Sequence, residues 1–331
     1  MSATPYGFRI VGDCTGRRRL VDHVVAFVAY ARCDAKAEVE REAYLSAFTF
    51  GQDFREHLNG TGTTKGFAGE CSAPTLWWDI DRADDLPRAQ ADGGRLAAAI
   101  AERYGIAADA VLVFFSGAKG FHVGLPCSLW APPPSAGFHR VARRLCETLA
   151  GAIGVAIDSS IYDKVRAFRA PNSRHPRTGL FKRWLDLRDV LHLDTSAILA
   201  QAGAPAPFDV PELAPDDGDS ARAADDWNSA AAEVRALATA KATRRQDSAP
   251  SGQAGRALNR LTLDFIRDGA AAGDRHRLLF SAAANLAEYG CPPGLAHALL
   301  TDTALDSGLS PSEVRRQIAC GLEHTGEGDT P

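Results

Sequence analysis

The sequence contains no apolar run that approaches the roughly 18 residues needed to cross a bilayer, so we expect no membrane-spanning segment and no membrane partner. The stretch from Met1 to Asp13 lacks the charged-then-apolar layout of a secretory signal, which predicts a cytoplasmic protein. The seven cysteines are scattered, and no two form a Cys-x-x-Cys pair. This spacing argues against a zinc ribbon and, in the cytoplasm, against a disulfide framework.

What remains is the composition of an ordinary globular protein, with 45% hydrophobic and 24% charged residues. A chain of 331 residues is long enough for two domains with separate cores. Between Ala202 and Asp226 the composition shifts to Pro, Ala and Asp, which is typical of a boundary. We therefore expect a catalytic domain over residues 1–200, a linker with a helix over residues 201–256, and a helical domain over residues 257–326.

The charge of the chain is unevenly distributed. The formal net charge is -4, yet the segment from His139 to Arg188 holds eleven Arg or Lys residues against four acids. A basic segment inside an acidic protein predicts a face that binds a polyanion. The alternative, a solvated helix surface, explains Arg140, Arg143 and Arg144 equally well but explains the later arginines less well.

A pair of carboxylates ends a predicted strand over Leu76 to Asp81. Side chains alternate along a strand, so Asp79 and Asp81 share one face while Ile80 points into the core. Two like charges this close repel each other, and a divalent metal held by oxygen ligands would relieve the repulsion. The alternative is a solvated strand end.

The next candidate is a hairpin about 35 residues further on. Ala110–Phe115 and Phe121–Leu125 are predicted strands, and Ser116-Gly-Ala-Lys-Gly120 is the turn between them. Its glycines let backbone N–H groups approach an anion and Lys119 adds a positive charge, so the turn is a plausible phosphate cradle. His122 lies beside the turn, where either ring nitrogen could donate to a phosphate oxygen.

A third carboxylate follows about 36 residues later. Val155 to Asp158 reads as a further strand that ends in an acid. Three carboxylates beside a phosphate-binding hairpin predict a two-metal site for phosphoryl transfer. Metals alone would fit a nuclease or a phosphatase, whereas a cationic hairpin suited to a triphosphate favours nucleotidyl transfer.

Upstream, the sequence predicts a helix that begins near Asp34. Three acids lie among alanines there, and Tyr44, Leu45 and Phe48 are consistent with an apolar stripe. Helices are also predicted over Leu86–Tyr104, ending at Gly105, and throughout the C-terminal part.

Together these segments resemble the archaeo-eukaryotic primase superfamily, also called primase-polymerases. The resemblance rests on Asp-x-Asp, on Ser-Gly-x-Lys-Gly-x-His, and on the run from Asp158 to Ser173 with its tyrosine and two arginines. It covers roughly residues 60–185. It implies an α+β fold, with an RRM-like antiparallel sheet that carries the carboxylates beside an N-terminal α/β unit and a small all-α domain at the end.

The resemblance also implies roles for individual residues. Two divalent ions, Mg²⁺ or Mn²⁺, would be held by Asp79, Asp81 and Asp158. The triphosphate of an NTP or dNTP would contact Ser116, Lys119 and His122, with further nucleotide contacts from Arg166 and Arg169. Those two arginines are three residues apart, so both reach one site only if the chain kinks near Pro171. Template contacts are expected from Asn172, Ser173, Arg174 and Lys182.

The C-terminal segment is similar to the helical domain that follows the catalytic domain in many plasmid and phage primases. Its pattern is Gly269-x-x-x-Gly273-Asp-Arg-His-Arg277, although a generic helical bundle would also fit. Arg275, His276 and Arg277 are the candidates for phosphate contacts. The chain lacks the cysteine and histidine zinc module that some family members use to start primers.

These observations predict a DNA primase or primase-polymerase that acts on a single-stranded DNA template. A replicative helicase or an initiator protein is a further expected partner. A replication initiator whose primase-like domain no longer catalyses is the alternative. A metal-dependent nuclease is a third reading, but it leaves Lys119 and His122 without a purpose.

Overall fold

The structure is a computed structural model and describes residues 5–213, 218–247, 258–271 and 273–324. It is α+β, with antiparallel sheets followed by a helical C-terminal part. Contacts divide the chain into two compact units, Met1–Lys241 and Ala242–Pro331. Within the described residues, no helix combines the length and the apolar character that crossing a membrane requires.

The first unit contains all of the strands found in the described residues. These strands are β1 (Tyr6–Val11), β2 (Arg19–Asp22), β3 (Ala43–Ser46), β4 (Thr49–Phe50), β5 (Cys71–Ser72), β6 (Thr75–Asp81), β7 (Leu112–Phe115), β8 (Gly120–Pro126), β9 (Ala167–Arg169) and β10 (Arg183–Leu185). Its helices are α1 (His23–Ala31), α2 (Gln52–Thr61), α3 (Leu86–Tyr104), α4 (Phe138–Ala152), α5 (Leu187–His192), α6 (Thr195–Gln201) and most of α7 (Ser220–Asp247).

The larger sheet has six strands among the described residues, in the order β5-β4-β1-β3-β9, with β2 paired to the free side of β1. Helix α2 covers part of one face because Phe54 stacks on Phe50, with 4.1 Å between ring centroids. Helix α1 packs near the opposite face, where Tyr30 is buried with Leu45. The edge strand β9 borders the site described below.

The smaller sheet has the order β10-β7-β8-β6 among the described residues. The chain order β6-α3-β7-β8-α4-β10 is a β-α-β-β-α-β arrangement, interrupted by β9, which joins the larger sheet. Trp78 and Ile80 are fully buried on one face of β6, and the Trp78 indole donates to the carbonyl of Cys146 in α4. The alternate residues of β6, including Asp79 and Asp81, therefore point to the other face.

Local signals explain where α3 begins and ends. Asp85 caps its first turn by accepting from the backbone N–H of Arg88, and Pro87 occupies a first-turn position where its missing donor is not needed. Gly105 ends the helix in a left-handed conformation. The prediction over Leu86–Tyr104 is confirmed.

Two other secondary-structure predictions are wrong. The expected helix near Asp34 is a single 3₁₀ turn, Ala35–Ala37, followed by strand β3. The Ala-Tyr-Leu-Ser run is better explained by the two-residue repeat of a strand, since Ala43 and Leu45 are buried together while Tyr44 faces the other side. The predicted strand over residues 155–158 has no ladder partners, and its backbone leads into a 3₁₀ turn, Ser159–Tyr162.

The second unit is a helical bundle in its described part. Its helices are α8 (Arg260–Asp268), α9 (Arg275–Glu288), α10 (Pro293–Asp306) and α11 (Pro311–Glu323). Small residues allow close packing, since a Cβ on Gly321 would lie 2.6 Å from the Cβ of Ala283. Helix α11 begins with a capping box between Ser310 and Glu313, and Pro311 occupies its first turn.

Candidate active site

The two carboxylates of β6 lie at the edge of the smaller sheet. Asp79 pairs with His122 and Asp81 pairs with Gly120 in the antiparallel ladder with β8. The side chain of Asp79 is 13% exposed and that of Asp81 is 28% exposed. The strand thus presents one nearly buried acid and one more accessible acid side by side.

The turn between β7 and β8 is pressed against this strand. The backbone of Ser116 bonds to the carbonyl of Gly120, and the Ser116 hydroxyl accepts from the Gly120 N–H. A Cβ on Gly120 would lie 2.3 Å from the carbonyl oxygen of Ile80 and 2.5 Å from the Asp81 carboxylate. Only glycine fits at this position. The side chain of the preceding residue, Lys119, reaches across the ladder, and its Nζ lies 2.8 Å from Asp81 Oδ2.

The opposite wall comes from the edge strand of the larger sheet. Arg169 lies at the end of β9, its guanidinium carbon 5.0 Å from the ring centroid of Tyr44 and one Nη donating to the Tyr44 hydroxyl. Glu42 accepts from that hydroxyl and lies 3.7 Å from Arg169. Arg166 precedes the strand and is exposed, so the alternation of a regular strand does not separate the two arginines.

These walls enclose a cleft of about 180 Å³. Seven of its lining residues are ones that the sequence singled out: Asp79, Asp81, Ser116, Lys119, His122, Arg166 and Arg169. Tyr44 and His175 also line it and were not anticipated. Tyr44 lies in the segment read as a helix, and no periodic or spacing signal marks His175.

Asp158 is beside the cleft but is not among the residues that line it. Its backbone N–H donates to the carbonyl of Asp79 at 2.8 Å, which holds the segment against β6. Its exposed carboxylate accepts from the backbone N–H and the hydroxyl of Ser160. Tyr162 anchors the same segment by donating to the carbonyl of Trp77. The structure therefore brings the backbones of all three acids together.

The carboxyl group of Asp79 has a strongly perturbed acidity. Burial, followed by the charges of Asp81 and Asp158, raises its pKa from 3.8 to about 7. Its Oδ1 is buried without a hydrogen-bond partner among the described residues, and His122 Nε2 lies 3.4 Å away. Among the described residues, no donor therefore satisfies this oxygen.

His122 is held in its neutral form. Burial lowers the pKa of the imidazole well below 6.5, and the nearby Lys182 and Arg169 charges lower it further. Its ring lies against Phe168, with centroids 4.5 Å apart. A neutral imidazole has one donor nitrogen, which suits a hydrogen bond to an anionic oxygen in the cleft.

The chemistry of the donors, though not their present arrangement, suits a hard divalent cation. Carboxylate oxygens are the ligands that Mg²⁺ and Mn²⁺ prefer, and Asp79 Oδ1 has an unused acceptor. Across the described residues, no group of three or more Asp, Glu, His and Cys side chains is arranged to hold a metal. Lys119 instead neutralises Asp81, so cation binding requires this ammonium to leave the carboxylate.

Three expected template contacts are buried, and the structure does not support that role for them. Asn172 is 0% exposed, and its amide donates to the carbonyls of Tyr30 and Ala206. Ser173 is equally buried. Lys182 is 1% exposed and donates to the carbonyl of Arg169, with its Nζ lying over three aromatic rings. Sequence alone does not distinguish such internal polar groups from surface cations.

The remaining candidates are on the surface or pair locally. Arg174 is half-exposed and bonds to the carbonyl of Gly179. In the second unit, Arg275 donates to the carbonyls of Ser307 and Gly308. Arg277 is exposed and pairs with Asp274, and His276 lies 3.7 Å from Glu313. Arg275 is thus occupied within the bundle, whereas Arg277 and His276 remain accessible.

No protein-family model matches the chain, and no curated protein matches it. One solved structure to which it is similar is described as the crystal structure of primase RepB'. The match covers 99% of this chain and 96% of that chain, with 14% sequence identity and a TM-score of 0.32. A TM-score this low does not support a conclusion about fold or function.

Proposed function

We propose that the protein is a template-directed nucleotidyltransferase of the primase-polymerase type, which acts on single-stranded DNA with NTPs or dNTPs. The observation that supports the proposal is the meeting, in one cleft, of an acidic edge strand with a glycine-bounded cationic turn and two arginines. Acids and phosphate-binding groups that face one another across a cleft are what transfer of a nucleotidyl group requires. The motif resemblance points in the same direction.

In this proposal the turn binds the triphosphate. Lys119 exchanges its contact with Asp81 for a phosphate oxygen, the neutral His122 donates a hydrogen bond, and Ser116 closes the turn. Arg169, stacked on Tyr44, orients a further phosphate from the opposite wall. These contacts would place the α-phosphate next to the acidic strand, where an attacking hydroxyl must approach it.

Asp79 and Asp81, with Asp158 beside them, are the residues that would hold divalent ions. When bound, such ions would supply positive charge that stabilises the negative charge developing on the phosphate. They would also make the attacking hydroxyl more acidic. Asp79 would lose its proton as an ion binds, because its pKa is raised to about 7. Lys119 would then be free to serve the triphosphate.

One observation favours a second candidate, a nucleic-acid-binding initiator that does not catalyse. Lys119 forms a 2.8 Å ion pair with Asp81 and so already provides the positive charge that a metal would bring. A site fixed in this state would bind a strand without carrying out synthesis. The two candidates differ in whether synthesis occurs, which is directly measurable.

Extension of a primed single-stranded template tests the proposal. We expect the wild-type protein to add the nucleotide complementary to the template in Mg²⁺ or Mn²⁺. Asp79→Ala should reduce the rate by about 10³-fold or more, since it removes charge at the reacting centre. Asp225→Ala, which removes an exposed acid from α7, is the matched control and should extend at the wild-type rate.

Equal extension by wild type and Asp79→Ala would refute the proposed site. Strand binding by the wild type without extension in either metal would support the initiator instead. The Asp79→Ala protein should still bind the strand, whether the wild type is a polymerase or an initiator, because this residue faces the cleft rather than the surface.

A further inference from the structure

His175 lines the cleft beside the turn that carries Ser116 and Lys119. One of its ring nitrogens is used inside the protein. His175 Nδ1 accepts from the backbone N–H of Arg177 at 3.3 Å and from that of Thr178 at 3.4 Å. An imidazole nitrogen that accepts hydrogen bonds carries no proton, so the hydrogen of the neutral ring is on Nε2. The backbone therefore fixes the tautomer in which Nε2 is the donor.

The surroundings of this ring favour its neutral form. Burial lowers the pKa of the His175 imidazole below 6.5, and the charges of Arg169 and Arg177 lower it further. Glu42 is the acid that acts in the opposite direction, and its effect is smaller. The ring thus offers one hydrogen bond to a ligand without adding a charge of its own.

The Nε2 donor is unused and can be reached from the cleft. It forms no hydrogen bond with the described residues, and it is not among their buried polar atoms that lack a partner. Only 8% of His175 is exposed, and the ring lines the cleft, so the accessible surface of Nε2 faces the cleft. A fixed donor that opens onto a cleft is suited to an acceptor on a bound ligand.

The loop that carries this ring is built onto the turn between β7 and β8. Two backbone hydrogen bonds close the loop, from the His175 N–H to the carbonyl of Leu180 and from the Gly179 N–H to the carbonyl of His175. The Thr178 hydroxyl donates to the carbonyl of Gly117 at 2.6 Å. A Cβ on Gly117 would lie 3.2 Å from the Cβ of His175, so glycine allows the two segments to pack together. The imidazole therefore has a fixed place relative to the turn.

The ring and the acidic strand lie at opposite sides of this turn. Gly120 pairs with Asp81 on β6, whereas Gly117, which contacts His175, follows the end of β7. Strand β8 lies between β6 and β7, so two strand spacings, about 10 Å, separate the acids from the ring. A triphosphate whose α-phosphate lies next to the acids would have its terminal phosphate closest to His175.

We infer that the Nε2–H of His175 donates a hydrogen bond to the terminal phosphate of the bound nucleoside triphosphate and so selects triphosphates over diphosphates. The inference rests on the proposed function and adds a specificity-determining residue to it. The charge of Arg169 acts on the same ring, so a guanidinium group and a neutral donor serve this end of the triphosphate together.

Two substitutions separate a ligand contact from a structural role. His175→Asn keeps an acceptor near the position of Nδ1, which holds the loop, but has no donor at the position of Nε2. His175→Gln places an amide N–H near the position of Nε2 and lacks the acceptor. We expect triphosphate affinity to fall about 10-fold or more in His175→Asn and less in His175→Gln, because a hydrogen bond to a charged phosphate is lost only in the first. The reverse order would show that the residue only holds the loop and would overturn the inference.

The probes are a fluorescent nucleoside triphosphate and the matching diphosphate, titrated in Mg²⁺ and followed by anisotropy. His175→Asn should lose affinity for the triphosphate and keep the wild-type affinity for the diphosphate. Equal losses for both nucleotides, or no loss for either, would contradict the contact with the terminal phosphate. His192→Asn, which changes an exposed histidine of α5 outside the cleft, is the matched control and should bind both nucleotides as the wild type does.

A measurement on the wild type needs no variant to fold. With ¹⁵N-labelled histidine, the Nε2 resonance of His175 should shift when the triphosphate is added and stay in place with the diphosphate. An Nε2 resonance that ignores both nucleotides at saturation would overturn the inference.

The outcome is separable from that of the proposed function. Template-directed synthesis by the wild type, with an unchanged preference for triphosphate in His175→Asn, would overturn only this inference. Triphosphate binding that depends on His175, in a wild-type protein that never extends a primer, would support the contact and refute nucleotidyl transfer.

Discussion

Among single residues, Asp79 is a carboxylate whose surroundings disfavour its charged form. It is nearly buried, one of its oxygens has no donor among the described residues, and two other acids lie close by. Ionisation therefore costs free energy in the absence of a cation. A bound cation would remove this cost, and this is the reason for proposing Asp79 as a metal ligand.

Asp79→Asn should stabilise the metal-free protein, and more so at higher pH. The wild-type carboxyl has a pKa of about 7 when folded and about 3.8 when unfolded, so folding becomes less favourable as the pH rises through this interval. Asparagine carries no such penalty. We expect its advantage in the free energy of unfolding to grow by about 2–3 kcal/mol between about pH 5 and about pH 8.

Chemical denaturation at a series of pH values, with a chelator present, measures this difference. Asp225→Asn provides the exposed-acid control and should show no such trend. A constant difference between wild type and Asp79→Asn across the range would contradict the assigned electrostatics.

The cleft residues that belong to short sequence motifs could be predicted from the sequence, and the others could not. Asp79, Lys119 and His122 could be named from residue type and spacing and line the cleft. Tyr44 could not, because it reaches the site only through the pairing of strands 125 residues apart. Lys182 shows the converse: a basic side chain can be fully buried, and residue type alone does not reveal this.

At the scale of elements, the contact between β6 and β8 sets the geometry of the site. Two positions of β8 accept only glycine: a Cβ on Gly120 would meet the backbone of Ile80, and a Cβ on Gly124 would lie 2.4 Å from the ring of Trp77. Glycine at these two positions lets β8 and the turn before it pack directly against β6. Lys119 of that turn contacts Asp81.

Gly120→Ala should move the turn away from β6. The new methyl group would meet backbone at 2.3 Å, which cannot be relieved by a side-chain rotation, so we expect a loss of about 1–3 kcal/mol in stability. Triphosphate affinity should fall as well, because Lys119 and Ser116 would be displaced.

Gly60→Ala is the matched control, since nothing lies within 4 Å of a Cβ there and the residue is in helix α2. Its stability should be unchanged or slightly increased. Melting temperatures and triphosphate binding measure both variants. A Gly120→Ala protein with wild-type values would show that the close approach of the strands is not required.

Secondary structure was predictable where its signals are local and was missed where they are not. The ends of α3 and α11 carry caps that act locally, so Asp85, Gly105 and Ser310 mark them without reference to the rest of the fold. Strand β3 has only four residues and obtains its partners from β1 and β9, which lie far away in sequence. Such short strands depend on tertiary pairing more than on propensity.

At the scale of the whole molecule, the packing of the fold determines which of the seven cysteines are exposed. All are free, with Cys71, Cys127 and Cys146 buried and Cys14 and Cys320 exposed. Burial raises the pKa of the Cys127 thiol to about 12, and it raises the pKa of the Cys146 thiol further. Thiolates are the reactive species, so burial and high pKa both protect these side chains.

We therefore expect a thiol reagent to modify Cys14 and Cys320 quickly in the native protein and Cys127 and Cys146 only after unfolding. Mass spectrometry of the labelled protein, with and without guanidinium chloride, identifies the sites. Rapid native labelling of Cys127 or Cys146 would mean that the core around α4 is not packed as described. A reducing agent should leave the melting temperature unchanged.

The overall organisation was partly accessible from sequence. The resemblance of the motifs implied an α+β chain with a helical C-terminal part, and the structure has that class. The pairing of β9 with the larger sheet, and the site that results, depends on contacts between distant segments, which no local pattern encodes. The domain limits expected from composition stay a prediction beside the two contact-based units.

The most direct test of the central claim is synthesis on single-stranded DNA with no primer supplied, in Mg²⁺ and in Mn²⁺, with NTPs and with dNTPs. Homopolymer templates show whether the product is complementary to the strand. The account predicts a complementary product that requires a divalent ion and is lost in Asp79→Ala. Strand binding with no product under any of these conditions, from a primed or an unprimed template, would contradict it.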